Sequence, residues 1–339
     1  MKIRLLLIGF LVLLITLGCG GCLDRIFGPV EEDKNDEKDS EKPEEKVQVQ
    51  ETSGAEDEYL EIDFYVVDDT TEMLLPVTIT YPRQEGIAQA TVTELVQGSE
   101  ISQKIGEFNL SLPLPEGTEV LGISISDKTA VVDFNEKLLS FEDKNQEKLA
   151  VTSIVYTLTQ YSSIDKVQIR VNGNTINELT NGTKVSLPIS RGNLGVNVSV
   201  EDEVDLKNSE MVTVYYPILR NETNLYIPVT KVVNSSTNQL KTAVSLYLGG
   251  TDFSKPFEKD VEIIKTQTKE NVAVVSLSQE FISYPREIEE GVVESLILTV
   301  TEIERIDKVQ LLVEGHPKVL PAGTDLNNIM DRPAFAKIN

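Results

Sequence analysis

The sequence predicts an α+β fold built from two tandem copies of one module. Short stretches of alternating apolar and polar residues, typical of strands, are interspersed with stretches whose apolar residues recur at helical spacing. The same order of stretches occurs twice, and "IDKVQ" recurs unchanged in "IDKVQIRVNG" (164–173) and "IDKVQLLVEG" (306–315). Because strands and helices do not alternate strictly, we expect a sheet with two helices on one face in each module.

Composition limits the classes of function. The 339 residues contain 31 Lys and Arg against 55 Asp and Glu, a formal net charge of −24. Nucleic-acid binding needs clustered basic residues, so this charge argues against a nucleic-acid partner. The cysteines are Cys19 and Cys22 only, and everything after them lacks a thiol for a disulfide, a metal or catalysis.

The first residues predict an export signal. Lys2 and Arg4 precede an apolar run at 5–17, which is short for a membrane span. Cys19 follows a small residue, and the stretch resembles the bacterial lipoprotein signal, in which cleavage leaves a cysteine that becomes lipidated. We therefore expect 1–18 to be the export signal and Cys19 to carry the lipid that anchors the chain at the extracytoplasmic face of the cell membrane.

Two alternatives stay open for this segment. Thr16 stands where lipoprotein signals usually have Leu, and Cys22 is a second candidate for lipidation. An uncleaved signal anchor with two incidental cysteines also fits the pattern. Either arrangement places the rest of the chain outside the cytoplasm and tethered to the membrane.

Residues 19–58 are predicted to form a disordered tether. Its stretch 31–58 contains 13 acidic residues and 4 lysines, a net charge of −9. A segment with so few apolar residues cannot bury enough surface to offset the entropy cost of ordering.

The first module, 59–191, is predicted to run β-β-α-β-β-α-β. "DDTTE" fits a hairpin loop, Gly98 suits a helix end, and Asn172–Gly173 is a strong turn signal. The predicted elements are strands 60–66 and 73–81, helix 86–98, strands 118–126 and 129–134, helix 145–161 and strand 165–171.

The second module, 211–332, repeats this order after a polar linker at 192–210. Its predicted elements are strands 211–217 and 225–232, helix 240–250, strand 271–277, helix 288–303 and the strand within 306–313. Matching features lie about 142 to 152 residues apart, which indicates a tandem duplication.

These residues resemble the sporulation and spore-germination GerM domain. The resemblance rests on the aromatic first strands ("DFYV", "TVYYP"), the Pro-Val-Thr strand, a helix ending in Leu-x-x-Gly, "LPEGTEVLGISISDKTAVVDF" and "VQIRVNG". It covers 59–191 and 211–332, although the second copy has "KDVEII" for "EGTEVL" and Ser276 where the first has Asp133.

The resemblance implies a fold and a role. Such domains have the α-β-β-α-β core of ring-building motifs, and tandem copies behind a lipoprotein signal resemble the sporulation lipoprotein after which the family is named. It implies a scaffold at the mother-cell membrane facing the developing spore, within a cell-envelope protein complex such as a sporulation channel assembly. Contact with the wall is a further expectation.

The inventory of reactive residues is sparse. His316 is the single histidine and lies at a predicted turn, and Asp133 ends a strand, where strand-end capping or solubility is its expected role. One histidine cannot form a histidine-rich metal site, and phosphate-binding glycine loops are absent from the sequence. We therefore expect no catalytic residue, cofactor or metal. A cell-wall-acting enzyme or ligand-binding lipoprotein outside the cytoplasm is the alternative.

Overall fold

Two similar groups of strands and helices follow one another in residues 58–339, the part of the chain that the computed structural model describes. The described residues all fall within one compact unit, Ser53–Asn339. The predicted export signal, Cys19 and all of the predicted tether except Glu58 lie outside the described residues.

The first group begins with a long hairpin. Strand β1 (Tyr59–Asp68) pairs antiparallel with β2 (Met73–Pro82) along its whole length. The turn between them needs a left-handed backbone, which Glu72 adopts with a φ of 56°. Most strand residues from Ile62 to Asp68 and from Leu74 to Ile79 are buried, which places the two strands inside the fold, whereas the turn between them is largely exposed.

Of the predicted helix 86–98, only α1 (Ile87–Thr93) is helical, and a further short helix, α2 (Ile101–Gly106), follows after the predicted end. Helix α1 ends early because Val96 forms a bridge with Leu114, which draws the chain into an extended conformation. Strand β3 (Leu110–Ser111) then pairs with β1, giving a sheet in the order β2-β1-β3.

A second sheet completes the first module. Strands β4 (Val120–Ser126) and β5 (Thr129–Phe134) meet at a turn in which Asp127 and Lys128 have φ values of 48° and 57°. Helix α3 (Lys144–Leu158) follows, then β6 (Lys166–Val171), parallel to β5, and β7 (Asn174–Thr175). The sheet order is β4-β5-β6-β7.

Helix α3 is buried on all sides over 150–158, which explains why the module has two sheets where we expected one. Ser153 donates to the carbonyl of Tyr65 in β1 at 2.6 Å, and Thr157 accepts from the Tyr65 N–H at 3.2 Å. A helix that is apolar all round must be covered on both faces. The β1–β2 hairpin therefore covers the side of α3 that the second sheet leaves open.

The second group repeats the hairpin and the four-stranded sheet, but the third strand of its hairpin sheet precedes the hairpin and pairs with the second hairpin strand instead of the first. Its elements are β8 (Ser199–Val200), β9 (Ser209–Arg220), β10 (Thr223–Asn234), α4 (Gln239–Gly249), β11 (Ile263–Lys269), β12 (Val272–Leu277), α5 (Glu289–Thr301), β13 (Lys308–Val313) and β14 (Met330–Asp331). The sheets run β8-β10-β9 and β11-β12-β13-β14, and the α+β class predicted from the sequence is confirmed.

The predicted linker region, 192–210, contributes to the fold of the described chain. Strand β8 lies within it and pairs parallel with β10 of the second module. One buried apolar cluster includes residues of both modules, among them Phe64 and Val155 of the first and Tyr216 and Val300 of the second. The domain boundaries at 59–191 and 211–332 stay a prediction.

Candidate functional site

Asp133, the carboxylate that sequence analysis singled out, supports a turn. Its Oδ1 accepts the backbone N–H of Gly173 at 2.8 Å. In the second module Ser276 Oγ accepts the N–H of Gly315 at 3.0 Å, so the substitution preserves the contact. Both glycines have positive φ values, 77° and 76°, and the side chain fixes a turn that only a left-handed backbone can make.

His316 lies in the exposed turn after β13. Its backbone N–H and carbonyl both bond with Val313, at 3.1 and 2.9 Å. The structure therefore places the single histidine in an exposed turn. Asp133 and His316 belong to different modules and are not brought together by any described contact.

A matched pair of buried carboxylates, one in each module, escaped the sequence analysis. Glu147 in α3 and Glu289 in α5 are 0% and 1% exposed and occupy matching positions. Glu147 accepts the N–H groups of Asn181 (2.5 Å) and Thr183 (3.1 Å). An alignment of the two modules on their helices would have revealed this pair, because both have a glutamate in the first half of the helix.

The second buried carboxylate makes equivalent contacts and illustrates their electrostatic effect. Glu289 accepts the N–H groups of Ala322 (2.8 Å) and Thr324 (3.0 Å). Burial alone would raise the pKa of Glu289, but these N–H donors outweigh burial and hold the pKa below its ordinary value. A general acid needs the opposite shift, so this carboxylate is suited to anchoring its loop.

The glutamine of the repeated "IDKVQ" has one role in both modules. Gln168 Nε2 donates to the carbonyl of Val185 at 2.9 Å, and Gln310 Nε2 donates to the carbonyl of Leu326 at 2.8 Å. Each side chain ties β6 or β13 to the loop that follows it. The repeated "IDKVQ" motif therefore preserves the same internal hydrogen bond in both modules.

Each predicted module ends at an arginine, and the two arginines make matching contacts. Arg191 lies over the ring of Tyr156 (4.8 Å to the centroid) and donates to the Tyr156 carbonyl at the end of α3 (2.6 Å). Arg332 lies over the ring of Tyr215 (5.5 Å) and donates to the Leu298 carbonyl of α5 (3.0 Å). Burial raises the pKa of Tyr156 to about 12, although the neighbouring cation lowers it. Arg191 also lies 5.9 Å from the ring centroid of Tyr65 in β1, so one tyrosine of each aromatic first strand lies against a cation.

A buried ion pair joins the modules. Arg220, at the end of β9, donates to the carboxylate of Asp68, at the end of β1, through Nε (2.8 Å) and Nη2 (3.0 Å). The Asp68 side chain is 0% exposed and that of Arg220 21%. Burial acts to raise the pKa of Asp68, but the hydrogen bonds from Arg220 and Thr71 outweigh it and lower the pKa.

Asn197 makes a second link between the modules. Its side chain accepts the N–H of Leu74 (2.9 Å) and donates to the carbonyls of Leu74 and Pro228 (both 2.7 Å). Leu74 belongs to β2 of the first module and Pro228 to β10 of the second. One side chain from the connecting segment therefore binds both hairpins.

The third link is residues 336–338, which we call the strap. The Thr78 N–H of β2 donates to the Ala336 carbonyl, and the Ile338 N–H donates to the Thr78 carbonyl, both at 2.9 Å. Lys337 pairs with Glu61 at 2.6 Å, and Ile338 is 1% exposed. The strap thus adds a short parallel strand to the edge of β2.

Comparison with known proteins identifies the family. The family model described as "Germane: Sporulation and spore germination" matches residues 63–177 and 213–319. The chain belongs to this family. Both matches lie inside the predicted modules, so the Germane domain occurs here twice.

One relative, compared by sequence and by solved structure, extends the comparison over most of this Germane chain. Spore germination protein GerM of Bacillus subtilis (strain 168) is 29% identical over 288 residues, which cover 80% of this chain and 76% of that protein. The solved structure of the tandem GerMN domains of the sporulation protein GerM from Bacillus subtilis has a TM-score of 0.70 and 27% identity. It covers 83% of this chain and 99% of that chain, which confirms the predicted tandem arrangement.

Residues 58–339 lack two features, a membrane-spanning helix and a cluster of metal ligands. None of the helices in this range combines the length and the apolar character needed to cross a membrane. The same range contains no group of three or more His, Cys, Asp or Glu side chains placed to hold a metal ion.

Proposed function

We propose that this Germane chain is a non-enzymatic, lipid-anchored assembly protein of the cell envelope that acts in sporulation. Its two modules serve as one rigid block that presents surfaces to the other members of a membrane-tethered complex. The name and the tandem architecture of the Bacillus subtilis relative support the link to sporulation.

The proposal rests on one observation: buried polar side chains form hydrogen bonds within the chain itself. The glutamates, glutamines and arginines that recur in both modules bind the chain's own backbone, and the junction consists of an ion pair, an amide bridge and a strand addition. Buried polar networks that are fully satisfied make a structure rigid. A rigid block suits assembly, because little ordering entropy is lost when it binds.

The anchor is tested by substitution of the two cysteines. We expect Cys19→Ala to release the chain from membranes or to block its processing, and the matched Cys22→Ala to have no such effect. Membrane fractionation and metabolic labelling with palmitate measure both. If Cys22→Ala releases the chain and Cys19→Ala does not, Cys22 is the lipidated residue.

The absence of catalysis is tested in cells and in vitro. We expect Asp133→Ala and His316→Ala to leave the yield of heat-resistant spores near normal, with crosslinked partners still captured. Purified wild-type protein should release no soluble fragments from cell-wall sacculi. Loss of spores with either variant, while the protein is folded and its partners are still captured, would favour the alternative of an enzyme or ligand binder.

A further inference from the structure

A cleft of about 930 Å³ lies where the two modules and the connecting segment meet. Its walls are the start of β2, the first half of α3, the segment 194–199 and the loop 250–253 after α4. The contacts that support the proposed assembly role lie beside this cleft and leave its interior open.

The cleft concentrates positive charge in a strongly acidic chain. Lys144, Lys148, Lys184 and Lys231 all line it, although the chain carries a net charge of −24. Glu72 and Asp252 also line it, so the cleft has four cationic and two anionic side chains.

Two of these four lysines form ion pairs, and the other two form none within residues 58–339. Lys184 pairs with Glu178, and Lys231 pairs with Glu201. Lys144, by contrast, and Lys148 beside it, have no carboxylate within ion-pair distance anywhere in residues 58–339. Both are exposed on the first turns of α3 and are therefore available to an anionic ligand.

An open strand edge borders the cleft, because Val198 and Ser199 line it and Val200 follows them directly. Strand β8 is at the edge of its sheet, and Glu201 donates its N–H to Val232 of β10. Backbone groups alternate in direction along a strand, so the N–H and C=O of Val200 point away from β10. Val198 and Val200 are also 51% and 58% exposed, which gives this edge apolar side chains.

From these features we propose that the cleft binds an acidic segment of a partner protein, rich in valine or leucine, as a strand added beside β8. Backbone groups of the segment pair with Val200, its apolar side chains cover Val198, and its carboxylates bind Lys144 and Lys148. An anionic glycopolymer shares the charge but has neither strand-forming amides nor apolar side chains, so the exposed edge favours a peptide. The inference deepens the proposed assembly role and rests on it for the identity of the ligand as a protein partner.

The test measures binding to the full chain in detergent micelles. The probe is a fluorescent peptide of about ten residues, long enough for one added strand, that alternates glutamate with valine or leucine. Two matched peptides replace every glutamate with glutamine, or methylate the backbone nitrogens on one side. We expect the original peptide to bind with an affinity that weakens as salt is raised, and both matched peptides to bind about tenfold more weakly or worse.

Protein variants locate the binding. Lys144→Glu with Lys148→Glu should weaken peptide binding by about tenfold or more, because two charge-assisted contacts become repulsive. Glutamate is favourable near a helix N-terminus, so α3 should remain folded, which circular dichroism checks. The control, Lys104→Glu with Lys166→Glu, makes the same change of net charge at exposed positions away from the cleft and should bind normally.

The outcomes separate this inference from the proposed function. Equal weakening in the control variant, or tight binding of poly(glycerol phosphate) with no binding of the peptide, would overturn the peptide site. Failure of peptide binding while partners are still crosslinked in sporulating cells would overturn the site and leave the assembly role standing. Specific peptide binding without any crosslinked partner in sporulating cells would support the site and overturn the assembly role.

Discussion

The strongest test of the joined modules is Arg220→Met. Its guanidinium makes two hydrogen bonds to Asp68, whose side chain is 0% exposed. Removal of one partner from a buried ion pair costs about 3–5 kcal/mol, because the other charge stays buried. Thr71 still donates two hydrogen bonds to Asp68, so we place the loss near the lower end, at about 3 kcal/mol.

Urea unfolding followed by circular dichroism measures this loss. With an m-value of about 3 kcal/mol/M, the midpoint should fall by about 1 M. The matched control is Lys128→Met, which breaks the exposed pair with Asp165 and should cost less than about 0.5 kcal/mol. The double variant Asp68→Asn with Arg220→Met removes both charges and should recover about 2 kcal/mol of the loss.

The loss should also depend on pH. The folded-state pKa of Asp68 lies below the unfolded value, so its stabilising contribution is present above about pH 4 and disappears as the pH falls through the folded-state pKa. In Arg220→Met the buried carboxyl is protonated more readily, so the difference from wild type should narrow towards pH 4. Equal losses in Arg220→Met and Lys128→Met at neutral pH would refute the reasoning.

Three further predictions follow from the described contacts. Glu289→Gln should cost about 1–3 kcal/mol at pH 7 in urea unfolding. Because the folded-state pKa of Glu289 is lowered, the difference should fade below about pH 4.3; a loss that does not change with pH would contradict the carboxylate's role. Ile338→Ala, which removes a buried side chain from the strap, should cost about 2–4 kcal/mol in thermal unfolding, whereas no loss would mean that the strap is not bound. Tyr156→Phe should remove one late step from an ultraviolet titration, because burial raises the pKa of Tyr156 to about 12. Since the raised pKa favours the neutral phenol, wild-type stability should fall as the pH rises above about 10.

The sequence was informative where a pattern has one physical cause. The alternating strands, the duplicated order and the turn at Asn172–Gly173 all occur as predicted, because periodicity and positive-φ turns are set by local chemistry. The expectation that Asp133 supports a strand end agrees with its bond to Gly173.

The sequence was less informative where distant segments decide the structure. Helix α3 contains too many apolar residues for one buried face, yet its sequence does not say what covers the second face. The end of α1 depends on a bridge from Val96 to Leu114, and the pairing of Asp68 with Arg220 depends on how two hairpins meet. Such contacts follow from tertiary packing and leave no local pattern.

The strap also sets an order of events during synthesis. Lys337 leaves the ribosome 276 residues after its partner Glu61, so the edge of β2 stays open until nearly all of the described chain has emerged. An unpaired strand edge is a template for association with other chains. Chains arrested before residue 336 should therefore be the ones that self-associate, and a chaperone that shields β2 would be needed for only the interval before the strap arrives.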